Sequence, residues 1–236
     1  MRVAIVENTG HTDHGQVGIA LAEKNASIEV FRPFAGEALP TDSSGHDAIV
    51  VFGGEQNALA DDRHPYLPAL AALMRQFGDA DKAVLGICLG SQLLARGYGG
   101  ENHVGTAPEF GWQQITLTAE GAADPVLASA AEEGLLKSFQ WHDDTFSLPE
   151  GAVHLAANEN ARNQAFRIGR AVYGTQFHFE ANRSVVNDWN RLFRDLISAK
   201  RPDWFDVYPD EAERHGVAAD AAGLEIARAW VQRIMQ

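Results

Sequence analysis

The single cysteine of the chain, Cys88, lies in the setting that points most directly to chemistry. It follows the apolar run 83–87 and precedes a helical pattern, with Gly86 and Gly90 two residues away on either side. A strand that turns sharply into a helix exposes the residue at its apex, and glycines let the backbone pass closely. The N-terminus of a helix also favours a thiolate. The spacing predicts a nucleophile elbow rather than a buried structural cysteine.

A nucleophilic cysteine needs a base, and the segment 173–180 offers one. Apolar and polar residues alternate there as at a strand end, so His178 and Glu180 point to the same side. A carboxylate bonded to one ring nitrogen fixes the tautomer and leaves the other nitrogen to exchange a proton with the thiol. By itself a His-x-Glu pair is more often solvated. Together with the elbow it predicts a Cys-His-Glu triad of Cys88, His178 and Glu180.

Short motifs in a fixed order make about residues 45–182 resemble a known family. They are Phe52-Gly53-Gly54, the elbow segment 86–92, Phe110-Gly111-Trp112, Phe139-Gln140-Trp141-His142-Asp143-Asp144 and the segment 174–180. These motifs resemble those of the class I (triad) glutamine amidotransferases, in particular the amidotransferase domain of GMP synthase and its stand-alone relatives. Because four of the motifs are specific and occur in the family's order, we interpret the chain as a member of this group.

The resemblance implies roles for further residues. The backbone N–H groups of Gly54 and Leu89 would form an oxyanion hole, because preorganised donors stabilise the negative charge of a tetrahedral intermediate. The residues that would bind the substrate are Gly53, Gln92, Trp141, His142 and Asp143.

Two positions depart from the family pattern. Phe179 stands where the family usually has Pro, which changes the backbone stiffness between the base and its carboxylate. Asp143 stands where the GMP synthase relatives usually have Gly. A carboxylate there would repel the α-carboxylate of the substrate. We therefore expect either weaker binding of glutamine or a compensating cation, such as Arg183 or Arg162.

The resemblance implies hydrolysis of the side-chain amide of glutamine through a γ-glutamyl thioester. No Ser-Gly-Gly-x-Asp-Ser type ATP-pyrophosphatase motif follows the triad segment, so we expect the ammonia to go to a separate synthase. A γ-glutamyl peptidase or hydrolase would use the same triad and is the alternative. A catalytically inactive binding module is a third hypothesis, which the presence of all three triad residues disfavours.

Composition limits the partners. Lys and Arg number 19 against 32 Asp and Glu, a net charge of −13 that argues against nucleic acid or an anionic membrane. No stretch is apolar enough to cross a bilayer, and the first residues predict a strand rather than an export signal. We expect a cytoplasmic protein. His11, Asp13 and His14 have a spacing that could suit a metal, but their loop has no third clear ligand and a reactive thiolate would compete for zinc, so no metal and no cofactor are predicted.

Alternating strands and helices predict an α/β fold with an open, mostly parallel twisted sheet flanked by helices, of the flavodoxin-like type. Apolar runs predict strands at 3–6, 27–31, 48–52 and 84–87, with helices at 18–24 and 66–77. More closely spaced strands between about 112 and 176 predict an antiparallel extension.

The last fifty or so residues have a different pattern. Amphipathic helices are predicted at 185–199 and 219–234, joined by an aromatic, proline-containing loop at 201–209. We therefore divide the chain into an amidotransferase-like domain, residues 1–182, and a C-terminal helical extension, residues 183–236, packed on the same domain.

Overall fold

The computed structural model describes residues 1–236 and is built on a nine-stranded sheet with helices on both faces. In chain order the strands are β1 Arg2–Val6, β2 Ser27–Phe31, β3 Ala48–Val51, β4 Ala83–Ile87, β5 Asn102–His103, β6 Glu109–Leu117, β7 Leu135–His142, β8 Thr145–Phe146, β9 Val153–Ala157, β10 Ala165–Ile168 and β11 Val172–Thr175. The α-helices are α1 Gly15–Glu23, α2 Leu67–Asp79, α3 Leu89–Gly97, α4 Ala119–Ala122, α5 Arg183–Leu192, α6 Arg194–Lys200, α7 Trp204–Glu211 and α8 Val217–Arg233.

The sheet has a parallel half and an antiparallel half. Its strand order is β2-β1-β3-β4-β11-β10-β9-β6-β7, and β5 pairs with β8 in a separate two-stranded sheet. The first five strands in that order run parallel, whereas each later neighbour pair is antiparallel. This confirms the predicted open, mostly parallel α/β sheet with an antiparallel extension.

Alternation along the parallel strands supplies two separate cores. In β1, Val3 and Ile5 face one core, which includes residues of α1 and α8, while Ala4 and Val6 face the other, which includes residues of α2 and α3. Side chains of a strand alternate between faces, so a run that is apolar throughout must be covered on both sides. The continuous apolar sequences of the inner strands β3 and β4 agree with that double burial, whereas the edge strand β2 contains the exposed residues Ser27 and Glu29.

The C-terminal extension packs on the same sheet through α8 and through an aromatic cluster. Trp204 of α7 is fully buried, and its ring centroid lies 4.9 Å from that of Phe110 and 5.9 Å from that of Trp112. A boundary at residue 182 stays a prediction. No helix of the protein has the length and apolar character needed to span a membrane.

Two predictions in the extension were wrong. The expected loop 201–209 contains helix α7, which includes Pro209, and a π-helical turn, Ala212–Gly216, connects it to α8. Burial of Trp204 outweighs the local preference of proline against a helix interior. The expected single helix 185–199 is two helices, because the chain breaks at Phe193, which has φ −117° and ψ 29°.

Trp230→Ala tests how far α8 belongs to the main core. The side chain is fully buried against the sheet, and its indole Nε1 donates a hydrogen bond to the carbonyl of Val84 at 3.3 Å. We expect a loss of about 3–5 kcal/mol in the free energy of unfolding, measured by urea denaturation. Val217→Ala, at the exposed start of the same helix, should stay within about 0.5 kcal/mol of the parent protein. Equal effects of both variants would contradict this packing.

Candidate active site

Cys88 lies at the sharp turn between β4 and α3. Its backbone has φ 52° and ψ −110°, a conformation that residues with a side chain rarely adopt. The neighbouring glycines allow the turn, because a Cβ on Gly86 would lie 2.4 Å from the carbonyl oxygen of Gly90. A Cβ on Gly90 would lie 2.0 Å from the carbonyl oxygen of Val51. The backbone here has the form of a nucleophile elbow.

The sheet brings His178 beside this turn. Strand β11 pairs with β4 in parallel, Thr175 lies opposite Ile87, and the amide of Cys88 donates to the carbonyl of Thr175 at 2.8 Å. Three residues later, the amide of His178 donates to the carbonyl of Phe139 in β7 at 2.8 Å. The backbone is therefore hydrogen-bonded to the elbow at Thr175 and to β7 at His178 itself.

The side chains of Cys88, His178 and Glu180 lie together. His178 Nδ1 lies 2.6 Å from Glu180 Oε1, and both side chains are buried. An ideal Cβ position on Gly53 lies 3.1 Å from His178 Cε1 and 3.4 Å from Cys88 Cβ, so the imidazole and the thiol are neighbours. Because Nδ1 is bonded to the carboxylate, Nε2 is the nitrogen left to exchange a proton with the thiol.

The imidazole of His178 is set up to carry a positive charge. Burial by itself lowers the pKa of His178, but the charges of Glu180 and Cys88, with their hydrogen bonds to the ring, raise that pKa to about 10. At neutral pH the ring is therefore an imidazolium, the partner that a thiolate requires and the acid that a leaving amine needs.

Two backbone N–H groups next to Cys88 make no hydrogen bond within the protein. Leu89 is the first residue of α3, and neither its amide nor that of Gly54 donates to another protein group. A Cβ on Gly54 would lie 2.8 Å from Asn8 Cβ and 3.1 Å from Leu89 Cδ2, which accounts for glycine at this position. The pair of donors is suited to an oxyanion.

The residues predicted to bind substrate all line one cavity of about 690 Å³, but their side chains make different hydrogen bonds within the protein. Gln92 is buried, and its Nε2 donates to Gln176 Oε1 at 3.2 Å. The carbonyl of Trp141 lies 3.7 Å from Cys88 Sγ. Cys88, Gly53, Gly54 and Leu89 contribute to the same cavity.

The ring of His142 is held entirely by the protein. Its Nε2 lies 3.1 Å from Glu109 Oε2, and its Nδ1 lies 2.9 Å from the carbonyl of Asp144. Burial raises the pKa of the Glu109 carboxyl. The hydrogen bonds from His142, Asn158 and Asn160, with the charge of His142, have a larger combined effect, so this pKa lies below its usual value. Only the backbone of His142 is left to contact a ligand, and its ring fixes the loop that follows β7.

Asp143 has a cationic partner that differs from the two expected ones. Its Oδ1 forms an ion pair with Nζ of Lys200, at the end of α6. Arg183 pairs instead with Asp220, at 2.7 Å. The expected compensating cation therefore exists, but it is Lys200, because the fold carries the end of α6 to the cavity rim.

Several residues of the cavity had no signal in the sequence. The C-terminal extension contributes Trp189, Phe193, Leu196 and Lys200, which resemble ordinary positions of an amphipathic helix. His11 and Asp13 line the rim, while His14 Nε2 is bonded to Glu7 Oε1 at 2.9 Å. No three His, Cys, Asp or Glu side chains are grouped to hold a metal ion.

An α/β sheet carries a strained cysteine elbow, a buried His-Glu pair and two amides without a protein partner, an arrangement that is chemically suited to cysteine-dependent acyl transfer. The model of the family described as "Glutamine amidotransferase class-I" matches residues 16–198. The chain therefore belongs to the class I glutamine amidotransferase family.

Named relatives and solved structures agree with this family. A glutamine amidotransferase-like protein of Salmonella typhimurium is 34% identical over 79% of this chain and 78% of its own. A subunit of the glutamine-hydrolyzing GMP synthase of Natronomonas pharaonis is 30% identical, covering 84% of this chain and 98% of its own. Gamma-glutamyl peptidase 5 of Arabidopsis thaliana is 29% identical, covering 70% and 66%. A glutamine amidotransferase structure from Thermotoga maritima superposes with a TM-score of 0.86 at 26% identity, covering 100% and 98%.

Glu180→Gln tests the charge that supports His178. The amide keeps the size and an acceptor oxygen but removes the negative charge, so the pKa of His178 should fall. A proton donor at this position works only while the ring is protonated, so we expect activity to decline as the pH rises through the pKa of His178, about 10 in the parent protein. We expect the alkaline limb of the kcat/KM profile to move down by about one pH unit or more. Glu150→Gln, on an exposed loop, is the matched control and should leave the limb in place.

The same pKa has a consequence for stability. Since the pKa of His178 in the folded protein lies above its ordinary value of 6.5, the imidazolium stabilises the fold fully below about pH 6.5. That contribution declines as the pH rises toward 10 and should be smaller in Glu180→Gln. For the kinetic prediction above, a Glu180→Gln variant whose kcat/KM keeps the alkaline limb of the parent protein would contradict the charge coupling between Glu180 and His178.

Lys200→Ala tests whether Asp143 faces the substrate. Without its cation, the Asp143 carboxylate should repel the α-carboxylate of glutamine and raise KM about two- to fivefold, with kcat unchanged, since an exposed ion pair is worth little more. Initial rates of glutamate release measure this. In the double variant with Asp143→Asn, KM should return toward that of the parent protein. A KM that stays raised in the double variant would show that Lys200 acts independently of Asp143.

Proposed function

We propose that the protein hydrolyses the γ-glutamyl C–N bond of glutamine, or of a related γ-glutamyl amide, with Cys88 as nucleophile, His178 as general acid and base, and Glu180 as the residue that orients it. The observation that carries the proposal is the 2.6 Å bond between His178 Nδ1 and Glu180 beside the strained Cys88 elbow. Nucleophile, base and orienting carboxylate in this order are the components of a triad.

In the first half-reaction the Cys88 thiolate attacks the γ-carbonyl carbon. The carbonyl oxygen gains negative charge, which the free amides of Gly54 and Leu89 are suited to stabilise. The C–N bond then breaks, and the departing nitrogen takes a proton from Nε2 of His178. The products of this half-reaction are a γ-glutamyl thioester on Cys88 and an amine.

In the second half-reaction water attacks the thioester carbon. His178 Nε2 accepts the proton of the water, the C–S bond breaks, and the Cys88 thiolate is restored with release of glutamate. Glu180 stays bonded to Nδ1 throughout and balances the charge of the ring. The residues that we propose to hold the glutamyl portion line the cavity: Gly53, Gln92, Trp141, His142 through its backbone, and Asp143.

With glutamine as substrate the leaving group is ammonia. Relatives of this chain include proteins named as subunits of glutamine-hydrolyzing GMP synthases. Their names support a role in which the ammonia passes to a separate synthase. Transfer to a nucleotide or another acceptor would then depend on that partner, which we propose as the ammonia-accepting protein.

The second candidate is hydrolysis of an N-substituted γ-glutamyl amide. The same bonds form and break, and an amine leaves instead of ammonia. A relative named gamma-glutamyl peptidase supports it. The cavity of about 690 Å³ supports it too, because this volume suits ligands larger than a free amino acid.

Replacing Cys88 tests the nucleophile. Cys88→Ala should lower the rate of glutamate release from glutamine by roughly a thousandfold or more, because members of a triad act as a unit. A chloroketone analogue of glutamine should label the parent protein once, at Cys88, as seen by peptide mass spectrometry. Thermal unfolding of the variant checks that the elbow still folds. Substantial turnover by a folded Cys88→Ala protein would overturn the proposal.

A further inference from the structure

The cavity next to His178 has an apolar side. We call the side chains of Trp189, Phe193 and Leu196 the apolar wall; all three line the cavity. The ring of Trp141 supports this wall, because its centroid lies 5.4 Å from that of Trp189 and 5.4 Å from that of Phe193 in edge-to-face contacts. Leu196, one helical turn after Phe193, is 53% exposed and extends this surface toward solvent.

The apolar wall begins at the proposed general acid. The indole of Trp189 meets the imidazole of His178 edge to face, with ring centroids 5.2 Å apart. Of the charged residues of the cavity, Glu55 and Arg63 follow the Gly53-Gly54 segment, whereas Asp143 and Lys200 form an ion pair with each other. The group nearest the His178 ring on the side of the C-terminal helices is therefore aromatic.

The break between α5 and α6 aims these side chains at the cavity. Phe193 lies between the last residue of α5 and the first residue of α6, and its side chain and that of Leu196 both line the cavity. The ion pair between Lys200 and Asp143 attaches the end of α6 to the loop after β7.

The proposed chemistry determines what must lie against this wall. The nitrogen that leaves takes its proton from His178 Nε2, so this nitrogen has to come within hydrogen-bond reach of that atom. Any substituent on the nitrogen points away from the glutamyl portion and away from Cys88. Trp189 is the side chain of the C-terminal helices that packs on the His178 ring, and Phe193 and Leu196 line the same cavity, so these three side chains are the apolar groups available to such a substituent. Ammonia from glutamine would leave these contacts unused.

We infer that Trp189, Phe193 and Leu196 form a specificity subsite for the amine side of the substrate, and that the preferred substrate is a γ-glutamyl amide with an apolar or aromatic group on its nitrogen. The inference rests on the proposed triad and decides between its two candidates. The net reaction converts the γ-glutamyl amide and water into glutamate and a primary amine. The C–N bond breaks, the nitrogen gains a proton, and no oxidant or reductant is needed.

The test compares three substrates with the full-length protein. These are L-glutamine, γ-L-glutamyl methylamide and γ-L-glutamyl benzylamide, and the kcat/KM for glutamate release is measured for each. Burial of a phenyl group against an apolar wall should raise kcat/KM for the benzylamide about tenfold or more over glutamine. The methylamide should lie between them.

Leu196→Ala and Leu192→Ala are the matched pair of variants. Both leucines are exposed, at 53% and 46%, and lie four residues apart, but only Leu196 lines the cavity. Leu196→Ala should lower kcat/KM for the benzylamide about three- to tenfold and leave that for glutamine unchanged. Leu192→Ala should change neither value.

The outcomes separate the subsite from the triad. A benzylamide no better than glutamine, or a Leu196→Ala variant that changes all three substrates equally, would overturn the subsite. If glutamine is still hydrolysed in a reaction that Cys88→Ala abolishes, the proposed triad survives that result. If no substrate is hydrolysed in a Cys88-dependent reaction, the proposed function itself fails.

Discussion

The parallel pairing of β4 with β11 is the constraint on which the site depends. These strands are far apart in sequence, yet their register places Thr175 opposite Ile87, so both chain segments leave the sheet at the same edge. The elbow follows one strand and the His-Glu segment follows the other. Because parallel strands end at the same edge, this single register brings Cys88 and His178 together. A shift by one residue would turn the side chains to the opposite face.

The site places strained and charged groups in a buried setting. Cys88 keeps a positive φ, and the His178–Glu180 pair is removed from water, with Glu180 Oε2 lacking a partner. Removing two charges from water can cost more free energy than their mutual attraction gains, so a buried ion pair is not by itself evidence of net stabilisation. The two apolar cores on either side of the sheet offset that cost. In this setting the charges of Glu180 and Cys88, and their hydrogen bonds to the ring, outweigh the effect of burial and raise the pKa of His178.

The C-terminal helices combine two roles. Trp230 of α8 completes the core beneath the sheet, whereas α5 and α6 bring Trp189 and Lys200 to the cavity. Trp189 and Phe193, which pack on the aromatic cluster around Trp204, also line the side of the cavity where we propose that the leaving amine lies.

Elements whose signals are local could be predicted from the amino-acid sequence alone. Gly86 and Gly90 around Cys88 predicted the elbow, because only glycines permit so close a backbone approach, and period-two alternation put His178 and Glu180 on one side. Apolar runs separated by helical patterns predicted the mostly parallel sheet. The cation that pairs with Asp143 could not be predicted in this way, because it depends on long-range packing. That packing places Lys200, and not Arg183, at the rim of the cavity. Burial of Trp204 likewise turned an expected loop into a helix, since its packing energy exceeds the local preference of Pro209.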